Sequence, residues 1–266
     1  MKSYLSYFKL RFITNLQYRT EAIAGICTQI FFGLIFIMVY LAFYESGGNT
    51  PMNWQELVNY LWLQQSFFAL IYPFDRENEL LHMIKNGNLA YELIRPQDFY
   101  FKWYIKMLAK RLVAVILRFI PLIILAISLP YPFHLSTPYS INNFIMFIVA
   151  LTLGFFLVTS LNLLMHILTM FTLDEKGTMT TYNVIAEIFM GGTIPIPFFP
   201  TWLKPIAEFL PFRFIGDFPF RIYSNSIPLQ EGYILIIGSI IWIIITISLG
   251  YLISRVSLRK AVIQGG

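Results

Sequence analysis

Residues 22–44 read AIAGICTQIFFGLIFIMVYLAFY, 23 positions without a formal charge. A helix rises about 1.5 Å per residue, so the run reaches about 35 Å and covers the ~30 Å hydrocarbon core of a bilayer. Further apolar segments follow it. Leu57–Pro73 contains Asn59, Gln64 and Gln65; Leu112–Leu129 carries Arg118 and then Pro121; Phe144–Thr172 is longer than a span needs; Gly177–Ile194 encloses Glu187 and ends near Gly191-Gly192; Tyr233–Ile253 is mostly Ile, Leu and Trp. The pattern predicts an all-α polytopic membrane protein with six transmembrane helices.

The composition agrees. Hydrophobic residues make up 57% of the 266 and charged residues 12%, about half the usual share for a soluble domain. Mean hydropathy is +0.65. This leaves too few polar side chains to cover a water-soluble globule and excludes a soluble enzyme, a disordered chain and a nucleic-acid binder. The single cysteine, Cys27, provides neither an intramolecular disulfide nor a Cys-based metal site.

The cations set the orientation. Alternate segments between the expected spans carry Lys2, Lys9, Arg11 and Arg19, then seven basic residues in 74–111, then Lys176, then the basic tail; the other side carries only Lys204, Arg213 and Arg221. With both termini cytoplasmic, 15 basic residues face inward and 3 outward, as the positive-inside rule requires. No cleavable signal peptide is expected. Leu5, Phe8, Phe12 and Leu16 recur at helical spacing among the first cations, which predicts an amphipathic helix over residues 1–20 lying on the inner leaflet.

Catalytic signatures are missing. There is no phosphate-binding P-loop, no HExxH, no GxSxG, and His82, His134 and His166 are far apart. His166 shares a helix face with Asn162 and reads as a polar packing contact. Glu187, a carboxylate inside an expected span, should face protein or a water-filled cavity.

Two stretches stand out. DRENELLHMIKNGNLAYELIRPQDFYFKWYIKMLAKR (75–111) starts with Arg76, Glu77 and Glu79, then presents Leu80, Leu81 and Ile84. Asn86-Gly87 signals a turn and Arg95-Pro96 a break. From Phe99 to Arg111, aromatics and lysines interleave as in a helix that runs along the headgroups into the third span. So many large apolar residues in a polar loop imply docking on protein or membrane. The second stretch, Gly191–Asn225, has six prolines, so no single helix can hold it. It predicts short helices that dip into the outer leaflet and return, backed by protein or by a water-filled cavity.

These stretches resemble the ABC-2 type permeases, in particular the short six-span bacterial branch. The pattern G-x-L-x-Y-E-L-x-R-P falls on Gly87, Leu89, Tyr91, Glu92, Leu93, Arg95 and Pro96. A Gly, Pro, Pro, Trp series followed by Leu-Pro-Phe falls on Gly192, Pro195, Pro200, Trp202 and Leu210-Pro211-Phe212. The resemblance implies one transmembrane domain over 1–266, with an interface helix (1–20), a segment coupling to an ATPase (75–98) and an outer re-entrant region (195–225). It implies no catalytic site in this chain and no cofactor on it, ATP and Mg being held by a separate cytoplasmic ABC ATPase dimer. It further implies a second permease chain, either a different homologue or a copy of itself, in a bacterial inner membrane. Export of peptides, antibiotics, polysaccharides or lipids is typical of the family.

On this resemblance, coupling falls to Arg76, Glu77, Glu79, Lys85, Gly87, Glu92, Arg95 and Pro96. The substrate pathway or dimer interface falls to Gly25, Gln29, Gly33, Gln64, Gln65 and Glu187, and the outer turn to Gly191, Gly192, Pro195, Pro200 and Trp202. A packing role for the glycines and glutamines remains open. A secondary carrier or channel independent of ATP is the competing reading, though it would want more intramembrane charge than Glu187 and Arg118.

Overall fold

The computed structural model describes residues 2–17, 19–47, 50–86, 92, 96–172 and 175–260. Among them there are eleven α-helices and no strand. The helices are α1 (Lys2–Asn15), α2 (Arg19–Glu45), α3 (Trp54–Ser66), α4 (Phe68–Ile71), α5 (Asn78–Lys85), α6 (Phe99–Ser128), α7 (Ile141–Thr172), α8 (Glu175–Phe189), α9 (Lys204–Phe209), α10 (Asp217–Tyr223) and α11 (Leu229–Lys260), with 3-10 turns at Ile196–Phe198 and Pro211–Phe214.

Four helices are long and apolar enough to cross a membrane: α2, α6, α7 and α11. The other two expected spans are shorter. The 57–73 segment is broken at Phe67 (φ −100°, ψ 12°) into the 13-residue α3 and the 4-residue α4. The 177–194 segment is helical only through the 15 residues of α8. At about 1.5 Å per residue, α3 and α8 reach about 20 and 22 Å, short of the hydrocarbon thickness. Apolar composition runs on past both breaks, which is why the sequence reads as continuous spans.

Local chemistry sets several boundaries. Asn53 caps α3: its Oδ1 accepts the Glu56 N–H at 2.9 Å, while the Asn53 N–H donates to the Glu56 carboxylate at 3.1 Å. Asp98 caps α6 by accepting from the Phe101 N–H at 3.2 Å. The 30-residue α6 joins the expected headgroup helix and third span in one element, with Pro121 inside it.

The central helix is α7, 61% buried over its most apolar stretch against 22–28% for the other three long helices. It packs on α11, α10, α8 and α6. Trp62, Trp103, Tyr60, Tyr100, Phe147, Phe218 and Phe220 are the bulkiest fully buried side chains.

The molecule has two poles. At one, the chain between α6 and α7 is sewn to α3, with Trp54 Nε1 donating to Pro132 O at 2.9 Å, Trp62 Nε1 to Phe133 O at 2.7 Å and Asn59 Nδ2 to Ser136 Oγ at 2.8 Å. At the other lie α1, α5, the start of α6 and the end of α11. There the Asp98 N–H donates to Tyr4 Oη at 2.9 Å, and Arg255 pairs with Asp98 at 3.4 Å. Segments expected on one side of the membrane thus share one end of the molecule.

Candidate functional site

The basic pole is built around a short non-helical stretch, 74–77, between α4 and α5. Lys102, Lys106 and Lys110 stand four residues apart on one face of α6. Lys110 meets Asp75 at 2.5 Å, Lys106 meets Glu77 at 2.8 Å and also Glu79, and Lys102 meets Glu92. Lys102 and Lys106 also approach the Trp103 ring, at 5.5 and 4.4 Å from its centroid. The lysines expected to run along the headgroups are therefore turned inward: Lys102 and Lys106 are buried.

Other helices join the same stretch. The Glu77 N–H donates to His166 Nε2 on α7 at 2.9 Å, so the ring's proton sits on Nδ1 and is donated to Asn162 O at 2.7 Å. Asn162 Nδ2 donates to Asp75 O at 2.8 Å. Arg76 pairs with Glu175 at the start of α8 at 2.8 Å, and Arg11 of α1 lies 3.6 Å from Glu79. Burial would push the Asp75 carboxyl up, but Lys110 and Arg111 hold it below its ordinary value; Glu79 is likewise lowered by Lys106 and Arg11 against the effect of burial.

Of the expected coupling residues, Arg76, Glu77, Glu79 and Glu92 enter this cluster, while Lys85 and Pro96 are exposed. Gly87 and Arg95, with Leu89, Tyr91 and Leu93 of the motif, lie outside the described residues. Asp75, Lys106, Lys110, Asn162 and His166 complete the cluster and were not among the expected site residues. The four-residue spacing from Lys102 is the sequence signal that marks Lys106 and Lys110; none marks Asp75, and Asn162 and His166 are legible only as sharing a helix face.

Helix α1 runs beside the first turns of α6. Tyr7 faces Lys102 and Arg11, and Phe8 stacks on Phe12 at 6.1 Å. Leu5, on the face expected toward the inner leaflet, is 71% exposed, while Phe8 packs against the core.

The expected pathway residues face inside the subunit. A Cβ on Gly25 would lie 2.8 Å from the Arg118 guanidinium, and one on Gly33 would lie 3.0 Å from Trp62. Gln29 is buried with its Oε1 unpartnered, and Gln65 packs on α2 at Gly33. Gln64 Nε2 donates to the carbonyls of Gly191 and Gly192, and Tyr60 Oη donates to Gly191 O at 3.0 Å. This pins the turn after α8, where Gly191 adopts φ +75°, a conformation costly for any side chain. Glu187 is half-buried and accepts from Thr193 Oγ1 at 3.4 Å.

Beyond the turn, the proline-rich stretch is divided into short helices and 3-10 turns. Pro195 precedes the first 3-10 turn, and Asp217 Oδ1 accepts the Ile196 N–H at 3.3 Å while its Oδ2 pairs with Arg221 at 3.2 Å. Phe212 is buried; Pro200 and Trp202 are exposed. Among the described residues no group of His, Cys, Asp and Glu is arranged to hold a metal ion.

Long apolar helices around a central buried one mark a multi-pass membrane protein. The sequence profile of the ABC-2 family transporter proteins matches residues 24–265, and the chain belongs to that family. No curated protein and no solved structure matches it.

Proposed function

We propose that this chain is the permease half of an ATP-driven exporter, crossing a bacterial inner membrane six times with both termini cytoplasmic. On this reading, α3–α4 and α8 with its following turn serve as the second and fifth crossings. A separate ABC ATPase dimer docks at the 75–98 segment, binds ATP and Mg, and drives two permease chains against each other. The cargo is apolar or amphipathic, of peptide, antibiotic or lipid character.

The observation that carries this reading is the 75–79 stretch, fastened to α1, α6, α7 and α8 at the cation-rich pole. A displacement applied there reaches four helices, most firmly α6 and α7. Family membership supports the reading independently.

The test is co-purification with an ABC ATPase co-expressed from the same source, together with transport by the reconstituted assembly. ATP-dependent efflux from cells or uptake into inverted vesicles is expected. Transport that persists after ATP depletion, with no ATPase retained, would favour a secondary carrier and refute the proposal.

A further inference from the structure

A cavity of about 620 Å³ opens between α1, α2, α4, α5 and the middle of α6. Six cationic and four acidic side chains line it. Asp75, Glu77 and Glu79 are engaged by Lys110, Lys106 and Arg11, and Arg76 turns to Glu175. The fourth acid, Glu21, is exposed in the first turn of α2, and its backbone carbonyl accepts from Arg118.

Two guanidinium groups keep unused donors. Arg111 is buried; its Nη1 donates to Leu70 O at 2.9 Å and Tyr72 O at 2.5 Å, while Nε and Nη2 make no hydrogen bond, and Asp75 lies 3.9 Å from Nη2. Arg118, two turns further on the same face of α6, makes one hydrogen bond among the described residues, to Glu21 O at 3.3 Å, and its Nε is unpartnered. Gly25 leaves the space in which that guanidinium lies. A buried donor without an acceptor costs about 1–3 kcal/mol, more when charged, so the site favours an anion.

The rest of the lining combines polar Thr14, Asn15, Tyr72 and Asn78 with an apolar part formed by Phe68, Ala69, Phe74, Val113 and Leu117. The cavity sits where α2 begins its apolar run, and Ile116 and Ile120 beside Arg118 are exposed. A charged wall meeting an apolar one at the membrane edge suits a phosphate head that carries acyl chains.

We propose that this cavity binds the phosphate headgroup of an anionic inner-leaflet phospholipid, with Arg118 and Arg111 as donors. The proposal requires neither the ATPase nor a cargo, so it stands or falls apart from the exporter reading.

Native mass spectrometry of the full-length chain in detergent, with phosphatidylglycerol or phosphatidylcholine added, tests it. One retained phosphatidylglycerol per chain is expected, bound at least roughly tenfold more tightly than phosphatidylcholine, the equivalent of one charged hydrogen bond. Arg118→Gln should remove about that factor and Arg118→Lys should keep most of it. Gly25→Val, which crowds the guanidinium without altering charge, should weaken binding too, and it serves as the second variant if Arg118→Gln does not fold. Equal retention of phosphatidylglycerol by wild type, Arg118→Gln and Gly25→Val would overturn the site. Displacement of the lipid by inorganic phosphate alone would overturn the lipid assignment in favour of a soluble anion.

Discussion

Replacing Lys106 by methionine keeps the side chain's length and its apolar stem against Trp103 but removes the charge that Glu77 and Glu79 share. The two halves of that loss differ. The Glu77 side chain is 9% exposed and that of Lys106 7%, so the pair is buried. Glu79 is 53% exposed, and its share is that of a surface pair, about 0–1 kcal/mol. Removing one partner of a buried pair costs about 3–5 kcal/mol, because a charge is left without compensation. For a chain of this size that corresponds to a drop in unfolding midpoint of roughly 6–12 °C.

The complementary change, Glu77→Gln, leaves Lys106 with Glu79 and Trp103 and should cost only about 1 kcal/mol. The double variant, Lys106→Met with Glu77→Gln, removes both charges and should recover about 2 kcal/mol relative to the sum of the singles. Intrinsic tryptophan fluorescence during thermal unfolding in detergent reads all four corners of the cycle. If Lys106→Met melts no lower than Glu79→Gln, or if the double variant is additive, buried charge does not hold the 75–79 stretch to α6.

Three further outcomes follow from the same geometry. Arg76→Ala breaks an exposed pair and should shift the midpoint by less than about 2 °C, the counterpart of 0–1 kcal/mol, yet lower ATPase stimulation in the reconstituted transporter; unchanged stimulation would remove Arg76 from coupling. Gly191→Ala forces a side chain into φ +75° beside the Tyr60 hydroxyl and should destabilise by about 1–2 kcal/mol, read as a fall of a few degrees in the same melt; a wild-type midpoint would show that the turn can relax. Because the folded-state pKa values of Asp75 and Glu79 lie below their ordinary values near 3.8 and 4.5, the stability these groups contribute is present above that range and lost as pH falls through the lowered values. Melts from pH 7 downward should therefore lose stability below about pH 4. Asp75→Asn should flatten that loss, and an equally steep loss in the variant would refute the assignment.

Sequence and structure part company where a distant residue decides a local event. The long helices α2, α7 and α11 are legible because apolar runs of that length have one stable form in lipid. The end of α4 is legible too, because Pro73 follows the extended Tyr72 that caps it, but the residue that takes over its last carbonyls is not. Arg111, some forty positions downstream, takes the carbonyls of Leu70 and Tyr72 that a continuing helix would have used. Gly25 reads as a small residue for helix contact or a pathway, and only the position of Arg118 shows that its missing side chain makes room for a guanidinium. The lysine stripe on α6 was open to view, but two of its partners, Asp75 and Glu77, are spaced by two in a non-helical stretch inside a segment otherwise read as helix and turn.

That interval is what lets a few residues address several helices. The 74–77 segment is not helical, so its side chains are not held to the gradual turn around one cylinder that a helix would impose. Asp75 and Glu77 accordingly reach the lysines of α6, and Arg76 between them reaches Glu175 on α8. The ties are unequal. Those to α6 and α7 include a buried ion pair and a buried hydrogen bond, while the tie to α8 is an exposed pair worth about 0–1 kcal/mol. In the proposed exporter, a push on the 75–79 stretch would move α6 and α7 as one body and let α8 slip. Helix α8 spans about 22 Å and ends at the Gly191 turn, which Gln64 and Tyr60 hold to α3. A weak joint at one end and a pinned turn at the other make α8 the element free to tilt between the two poles.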